Sequence, residues 1–139
     1  MSRTLLFKGK RKSDGEWIEG GYFQEDYTDK EYIICWNSTG LGYNEFFEVC
    51  SETVCQYTGL TDENGNRIWE NDVVRYYDDL ANMNKEDLVK WNKTHASFVR
   101  LHKSKMGLQY LYIDECIANR CEVIGNIFDN PELLEGSDE

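Results

Sequence analysis

Gln56-Tyr57-Thr58-Gly59-Leu60-Thr61-Asp62-Glu63-Asn64-Gly65-Asn66-Arg67-Ile68-Trp69-Glu70-Asn71-Asp72-Val73-Val74 is the stretch that decides how this chain is read. It spells strand, tight turn, strand. Asn64-Gly65 lies between apolar runs, and an Asn-Gly pair suits the two positive-φ positions of a type I′ hairpin turn. The hairpin arms are expected near Cys55–Tyr57 and Arg67–Tyr77. Asp62-Glu63-Asn64-Gly65-Asn66 also mimics the opening of a calcium loop. That match then fails, because the glycine position of such a loop falls on Arg67 and its bidentate glutamate position on Val73.

Outward from the hairpin, the chain keeps the same character. Its 139 residues fit one domain, expected over 1–134, with an acidic, frayed tail over 135–139. Four Trp, nine Tyr and six Phe, with eleven Gly and a single Pro, favour strands joined by turns. The first strand is expected over Leu5–Lys8, a turn over Lys12–Gly15, and a second strand over Trp17–Phe23, broken or bulged at Gly20-Gly21. Tyr32–Trp36 reads as a fully apolar, buried strand, Gly40–Tyr43 as a loop and Phe46–Val49 as a brief strand. Asp78–Asp87 is polar and reads as a surface insertion, at most one helical turn. Leu88–Trp91 and Ser97–Leu101 form two arms around an Asn92–His95 turn, and Leu108–Ile113 and Glu122–Phe128 are the last strands. Asn130-Pro131 places a capping residue before a proline and marks the start of a short helix.

Charge narrows the function classes. The formal net charge of −11 argues against simple nucleic-acid binding, because phosphate contacts need cations. The bases are concentrated, however. Arg3, Lys8, Lys10, Arg11 and Lys12 precede the first acid, and Lys90, Lys93, Arg100, Lys103 and Lys105 occupy an acid-free run from Leu88 to Ile113. The segments 3–12 and 90–105 read as strands whose bases offset acids elsewhere, in preference to one basic binding face. Trp91, Phe98, Tyr110 and Tyr112 among those bases resemble a stacking platform for single-stranded nucleic acid, although aromatics at strand spacing are more often cross-strand pairs. No run approaches the roughly 20 apolar residues of a membrane span, and no signal peptide is visible. A cytoplasmic protein with reduced thiols is expected, and the sequons Asn37-Ser38-Thr39 and Asn92-Lys93-Thr94 then carry no meaning.

No constellation compels a reaction. Cys50 and Cys55, and Cys116 and Cys121, have matching separations, and four thiolates could hold zinc. Zinc knuckles use tighter spacing, and free cysteine is commonly a small buried hydrophobe, which is the preferred reading. Glu70 and Asp72, two apart on a strand, share a face and could hold a hard cation. An aspartate tying down a turn is the commoner role. His95 reads as a turn residue and His102 as an exposed strand end. No catalytic residue, metal site or cofactor is assigned, and no enzyme activity is expected.

Three blocks make the chain similar to the YopX-like proteins of bacterial phages and prophages. Trp17-Ile18-Glu19-Gly20 resembles that family's W-V-x-G. The hairpin run resembles Q-Y-T-G-L, D-x-N-G and I-Y-E-G-D-x-V. Glu122-Val123-Ile124-Gly125-Asn126-Ile127-Phe128-Asp129-Asn130-Pro131-Glu132-Leu133-Leu134 resembles E-V-I-G-N-I-Y-E-N-P-E-L-L. Cys55 and Asn71 depart from the pattern, each standing where the family often has glycine, and Asn71 tolerates the positive φ a bend there needs. The resemblance implies a phage or prophage origin, a bacterial-host cytoplasm and a mainly β fold. A small, partly open β-barrel with additional hairpins and a short C-terminal helix fits it. A non-enzymatic accessory protein is expected, forming a homo-oligomer and binding an unknown host or phage protein, with neither nucleic acid nor membrane as partner. The alternative is an acidic protein that blocks the nucleic-acid site of a host factor.

Overall fold

The computed structural model of the protein describes residues 5–36 and 40–134. Arg3 of the first basic segment, the sequon at Asn37 and the tail 135–139 lie outside the described residues. The described chain is mainly β, its strands lying in two antiparallel sheets. It divides into two compact units, Met1–Tyr57 and Thr58–Glu139.

The first unit holds β1 (Phe7–Lys10), β2 (Trp17–Gln24), β3 (Glu31–Cys35) and β4 (Glu45–Val49), in the spatial order β4-β3-β2-β1. The opening residues of β5 (Cys55–Thr61) lie beside β1, with Gln56 opposite Phe7. The predicted break at Gly20-Gly21 does not occur, and β2 runs through it. Its first half pairs with β1 and its second half with β3, the partner changing between the two glycines. A Cβ on Gly20 would sit 2.0 Å from the Ile34 carbonyl oxygen, and one on Gly21 would sit 2.4 Å from the Trp36 ring. The glycines are there for close approach, and no bulge is needed. β3 is not the fully buried strand its composition predicts. Ile33 is buried but Trp36 is exposed, and the aromatics of this sheet meet near the surface, where Phe23 stacks on Tyr32 with ring centroids 5.1 Å apart.

The end of β4 meets the chain just after β1. Lys12 donates its N–H to the Glu48 carbonyl at 3.0 Å, and Cys50 donates to that of Lys10 at 2.9 Å. These bonds curl the sheet back on itself without making a ladder, so no closed barrel is formed among the described residues.

The second unit contains the end of β5, then β6 (Arg67–Trp69), β7 (Asp72–Asp78), β8 (Met83–Asn92), β9 (Ser97–Ser104), β10 (Gly107–Tyr112), α1 (Glu115–Ala118) and β11 (Glu122–Asn126). Five of these strands form a sheet in the order β10-β9-β8-β7-β11. Ile68, Val74, Val89, Ala118 and Cys121 are its buried core, with Leu60, Tyr76, Ile113, Ile117 and Val123 packed around them. Each buried Val or Ile contributes about 1.5–3 kcal/mol through burial.

The hairpin forms where predicted, but its turn is not type I′. Gly65 has φ 83°, and Asn64 is not among the residues with positive φ. Gly65 N–H bonds the Asp62 carbonyl at 3.0 Å and Asp62 N–H bonds that of Asn66 at 2.8 Å, giving a three-residue loop. The cause is Asp62, whose Oδ1 accepts the N–H groups of Asn64 (2.9 Å) and Asn66 (2.8 Å) and so holds the longer loop. The long second arm is also interrupted. Asn71, with φ 75°, turns the chain between β6 and β7, as its tolerance of that region predicts.

Asp78–Asp87 is a hairpin, not an insertion or a helical turn. β8 starts at Met83, which lies opposite Asp78. Asp78 Oδ1 accepts Leu80 N–H (3.0 Å) and Ala81 N–H (3.2 Å), Tyr77 bonds Asn82, and Asn82 takes φ 57°, so polar residues build the turn itself. Near the C-terminus, Pro131–Leu134 makes only a single 3-10 turn. The α-helix instead forms at Glu115–Ala118, capped by Asp114 Oδ1 accepting Ile117 N–H at 2.9 Å. No helix among the described residues is long and apolar enough to cross a membrane.

Candidate functional site

β10 ends its sheet and pairs only with β9 among the described residues. Alternation along the strands sorts the neighbouring side chains. Leu88, Leu101 and Tyr110 lie opposite one another across β8, β9 and β10, as do Lys90, Val99 and Tyr112, and these two rows share a face. Val89, Arg100 and Leu111 point the other way, towards the core. Leu108, Tyr110 and Tyr112 are 59%, 62% and 69% exposed, an apolar stripe along a free edge. A cavity of about 230 Å³ opens on the same face, lined by Val73, Leu88, Leu101, Lys103, Leu108 and Leu133 among others. Leu108 belongs to both stripe and cavity. Trp91, Phe98, Tyr110 and Tyr112 do not assemble the stacking platform they resemble, and the preferred cross-strand pairing is found for Trp91 and Phe98. Trp91 and Phe98 contact each other edge-on, 5.1 Å between centroids, on the face opposite the tyrosines.

Behind that surface lies a charge cluster that the sequence does not announce. Asp87 on β8 is fully buried at its side chain. Its Oδ2 accepts from the Arg100 guanidinium at 3.1 Å, and its Oδ1 lies 2.7 Å from His102 Nδ1. Arg100 Nε donates to the Tyr112 carbonyl at 3.1 Å, and its guanidinium lies 5.1 Å from the centre of the Tyr76 ring. Burial, then the charge of Asp87, pushes the Tyr76 hydroxyl well above its usual range. His102 is therefore no exposed strand end. It sits within β9, held by Asp87, because the register that puts Leu88 opposite Leu101 also brings the residues preceding and following them together. The cluster joins β7, β8, β9 and the backbone of β10, so it braces the edge strand. His95 lies exposed in the β8–β9 turn.

The remaining predicted residues have structural surroundings. Asp72 is buried and its Oδ2 accepts Trp69 N–H at 2.8 Å, across the β6–β7 turn. Glu70 lies in that turn and not on a strand, so the two carboxylates do not share a strand face. All five cysteines are free thiols, with Cys55 and Cys121 buried and Cys116 exposed. Burial pushes the Cys121 thiol up to about 11. No group of three or more His, Cys, Asp or Glu among the described residues is arranged to hold a metal.

The motif-bearing stretches are joined through backbone bonds. Asp62 Oδ2 accepts Val123 N–H at 2.9 Å, and Glu63 N–H bonds the Cys121 carbonyl at 2.9 Å. Asn71 N–H bonds the Val89 carbonyl at 2.7 Å, while the Asn71 carbonyl accepts Ile127 N–H at 3.2 Å. Asn126 Oδ1 accepts the N–H groups of Phe128 and Asp129, both at 2.9 Å. A Cβ on Gly125 would fall 2.5 Å from Asn130 Oδ1.

The crystal structure of protein EF1440 from Enterococcus faecalis is similar at a TM-score of 0.52 and 20% sequence identity, covering 96% of this chain and 100% of its own, which is a likeness of fold. No curated protein matches the chain. The family model described as YopX protein matches residues 6–135, so nearly all of the chain belongs to the YopX family.

Proposed function

We propose that this YopX-family protein is a phage- or prophage-encoded accessory protein of the bacterial cytoplasm, a non-enzymatic, homo-oligomeric β module that binds another protein. The observation that carries this reading is the free β10 edge with its exposed Leu108, Tyr110 and Tyr112, backed by the buried Asp87 cluster. An exposed, apolar edge strand invites pairing and is normally covered or charged. The first unit adds exposed Trp36, Tyr43 and Phe46, which supply apolar surface for self-association. The curl of the first sheet towards a partly open barrel fits the same picture of a scaffold.

Sedimentation velocity at micromolar concentration, paired with affinity capture from host lysate with and without nuclease, tests the reading. An oligomer that retains a protein after nuclease treatment is expected. A monomer that retains none would remove the reading.

A further inference from the structure

Resting on the reading of the protein as an interaction module, we propose that the partner presents an extended acidic peptide, which adds as a strand to the free edge of β10. Three independent features of the molecule meet there. β10 is the edge of its sheet and pairs only with β9 among the described residues, and strand addition satisfies the outward backbone groups of such an edge while side chains give specificity. The residues along it, Leu108, Tyr110 and Tyr112, alternate onto one face, so they select apolar side chains at every second peptide position. The cavity bordered by Leu108 takes one of them, an apolar one, since its lining holds Glu86 and Asp87 as well as Lys103.

Charge chooses between occupants. The run from Leu88 to Ile113 holds five bases and no acid, within a chain of net charge −11. Arg100 is paired with buried Asp87 and Lys90 bonds Asn71, so Lys103 and Lys105 are the bases left beside β10. Lys103 lies opposite Leu108, and Lys105 sits in the β9–β10 turn at the start of the edge strand. Parallel edge-to-edge pairing of two copies of β10 would bring these like charges together. An acidic strand is drawn to them and is repelled by the remainder of the surface, which sets both its position and its on-rate. A nucleic acid is also anionic. It cannot use the free backbone edge, however, and the aromatic residues of this segment do not share one face.

Fluorescence anisotropy on the full chain tests the proposal, with a dye-labelled octapeptide that alternates valine and glutamate. Saturable micromolar binding is expected, weakening as salt is raised from about 0.05 to about 0.5 M. Replacing Lys103→Glu together with Lys105→Glu, both exposed side chains, should weaken it at least about tenfold, a loss of about 1.4 kcal/mol. Tyr110→Ser should weaken it several-fold, with circular dichroism confirming the fold of each variant. A peptide alternating valine and lysine should not bind, nor should the glutamate peptide N-methylated at alternate residues along its pairing edge. Equal binding of the lysine or methylated peptides, or displacement of the peptide by an oligothymidine strand, would overturn the inference. Sedimentation of the same samples separates the two levels. An oligomer that ignores the acidic peptide overturns only this inference, whereas a monomer that takes neither peptide nor protein overturns the module reading as well.

Discussion

The Asp62 carboxylate, in the loop of the central hairpin, accepts the backbone N–H of Val123 at 2.9 Å across 61 residues of sequence. Its other oxygen holds the loop through Asn64 and Asn66. One buried side chain thus sets a local turn and pins it to the last strand. Asp62→Ala should cost about 3 kcal/mol, since it strands backbone donors away from water. Asp62→Asn, which keeps one acceptor, should cost less. Urea unfolding midpoints of the three proteins check this order.

Acid should expose the same interaction. Burial alone would raise the Asp62 carboxyl, but the N–H groups of Val123, Asn66 and Asn64 outweigh it and hold the carboxyl below its ordinary range. The Asp78 carboxyl is lowered too, chiefly by its hydrogen bond to Lys85. A group whose folded value is depressed contributes fully above its unfolded value, about 3.9 for aspartate, and loses that contribution as pH falls through the folded value. Stability should therefore fall steeply below about pH 4, and Asp62→Asn should flatten that limb. Thermal melts from neutral pH down to acid give the comparison.

Asn71 carries φ 75° between β6 and β7, and its Oδ1 accepts from Lys90 Nζ at 2.9 Å. Asn71→Gly relieves the backbone and loses the side-chain bond, so it should change stability little. Asn71→Ala loses the bond and keeps the strain, and should be about 1–2 kcal/mol less stable than the glycine variant. A melting-temperature difference between the two variants measures the strain less the greater freedom of glycine in the unfolded chain.

Removing Arg100 should be far more damaging than removing an exposed base. Arg100→Leu leaves Asp87 buried without its guanidinium, which typically costs about 3–5 kcal/mol. Replacing Asp87 and Arg100 together by apolar residues should cost less than the sum of the single changes. A double-mutant cycle in denaturant supplies the coupling. Weakened protection of the Tyr112 region in hydrogen exchange would show the edge strand losing its brace.

Thiol chemistry should separate the cysteines. Cys116 is exposed, whereas Cys55 and Cys121 are buried and the Cys121 thiol is raised to about 11. At pH 8, iodoacetamide should label Cys116 in the native protein and reach Cys55 and Cys121 only on unfolding. Peptide mass spectrometry after timed quenching reads this directly.

What the sequence revealed was whatever is decided locally. The loop at Asn64-Gly65, the bend at Asn71 and the strands around the Asn92–His95 turn all follow from turn chemistry and alternation within a few residues. Missed features depend on partners far along the chain. Asp87 reads as one more acid in a polar stretch, and only the β8–β9 register sets it beside Arg100 and His102. The two-residue spacing of Arg100 and His102, with Asp87 and Val89 alternating on the facing strand, was the available signal. Helix α1 escaped because four residues carry no periodicity, although Asp114 three residues ahead of Ile117 marked its cap. The strand through Gly20-Gly21 looked broken because glycine serves equally for a bulge and for a close neighbour. The β10 edge was legible as composition, in the acid-free aromatic run, but not as geometry.

The bonds from Val123 to Asp62 and from Ile127 to Asn71 also impose an order of events during synthesis. Residues 58–112 can leave the ribosome and form hairpins one after another, since each strand from β7 to β10 pairs with the next. β7 nevertheless keeps one side open until β11 emerges. Until then Val74 lacks its cover and both turn residues lack their last partners. A chain cut short before Glu122 would leave β7 as a second open edge, prone to pairing with other chains before it can fold.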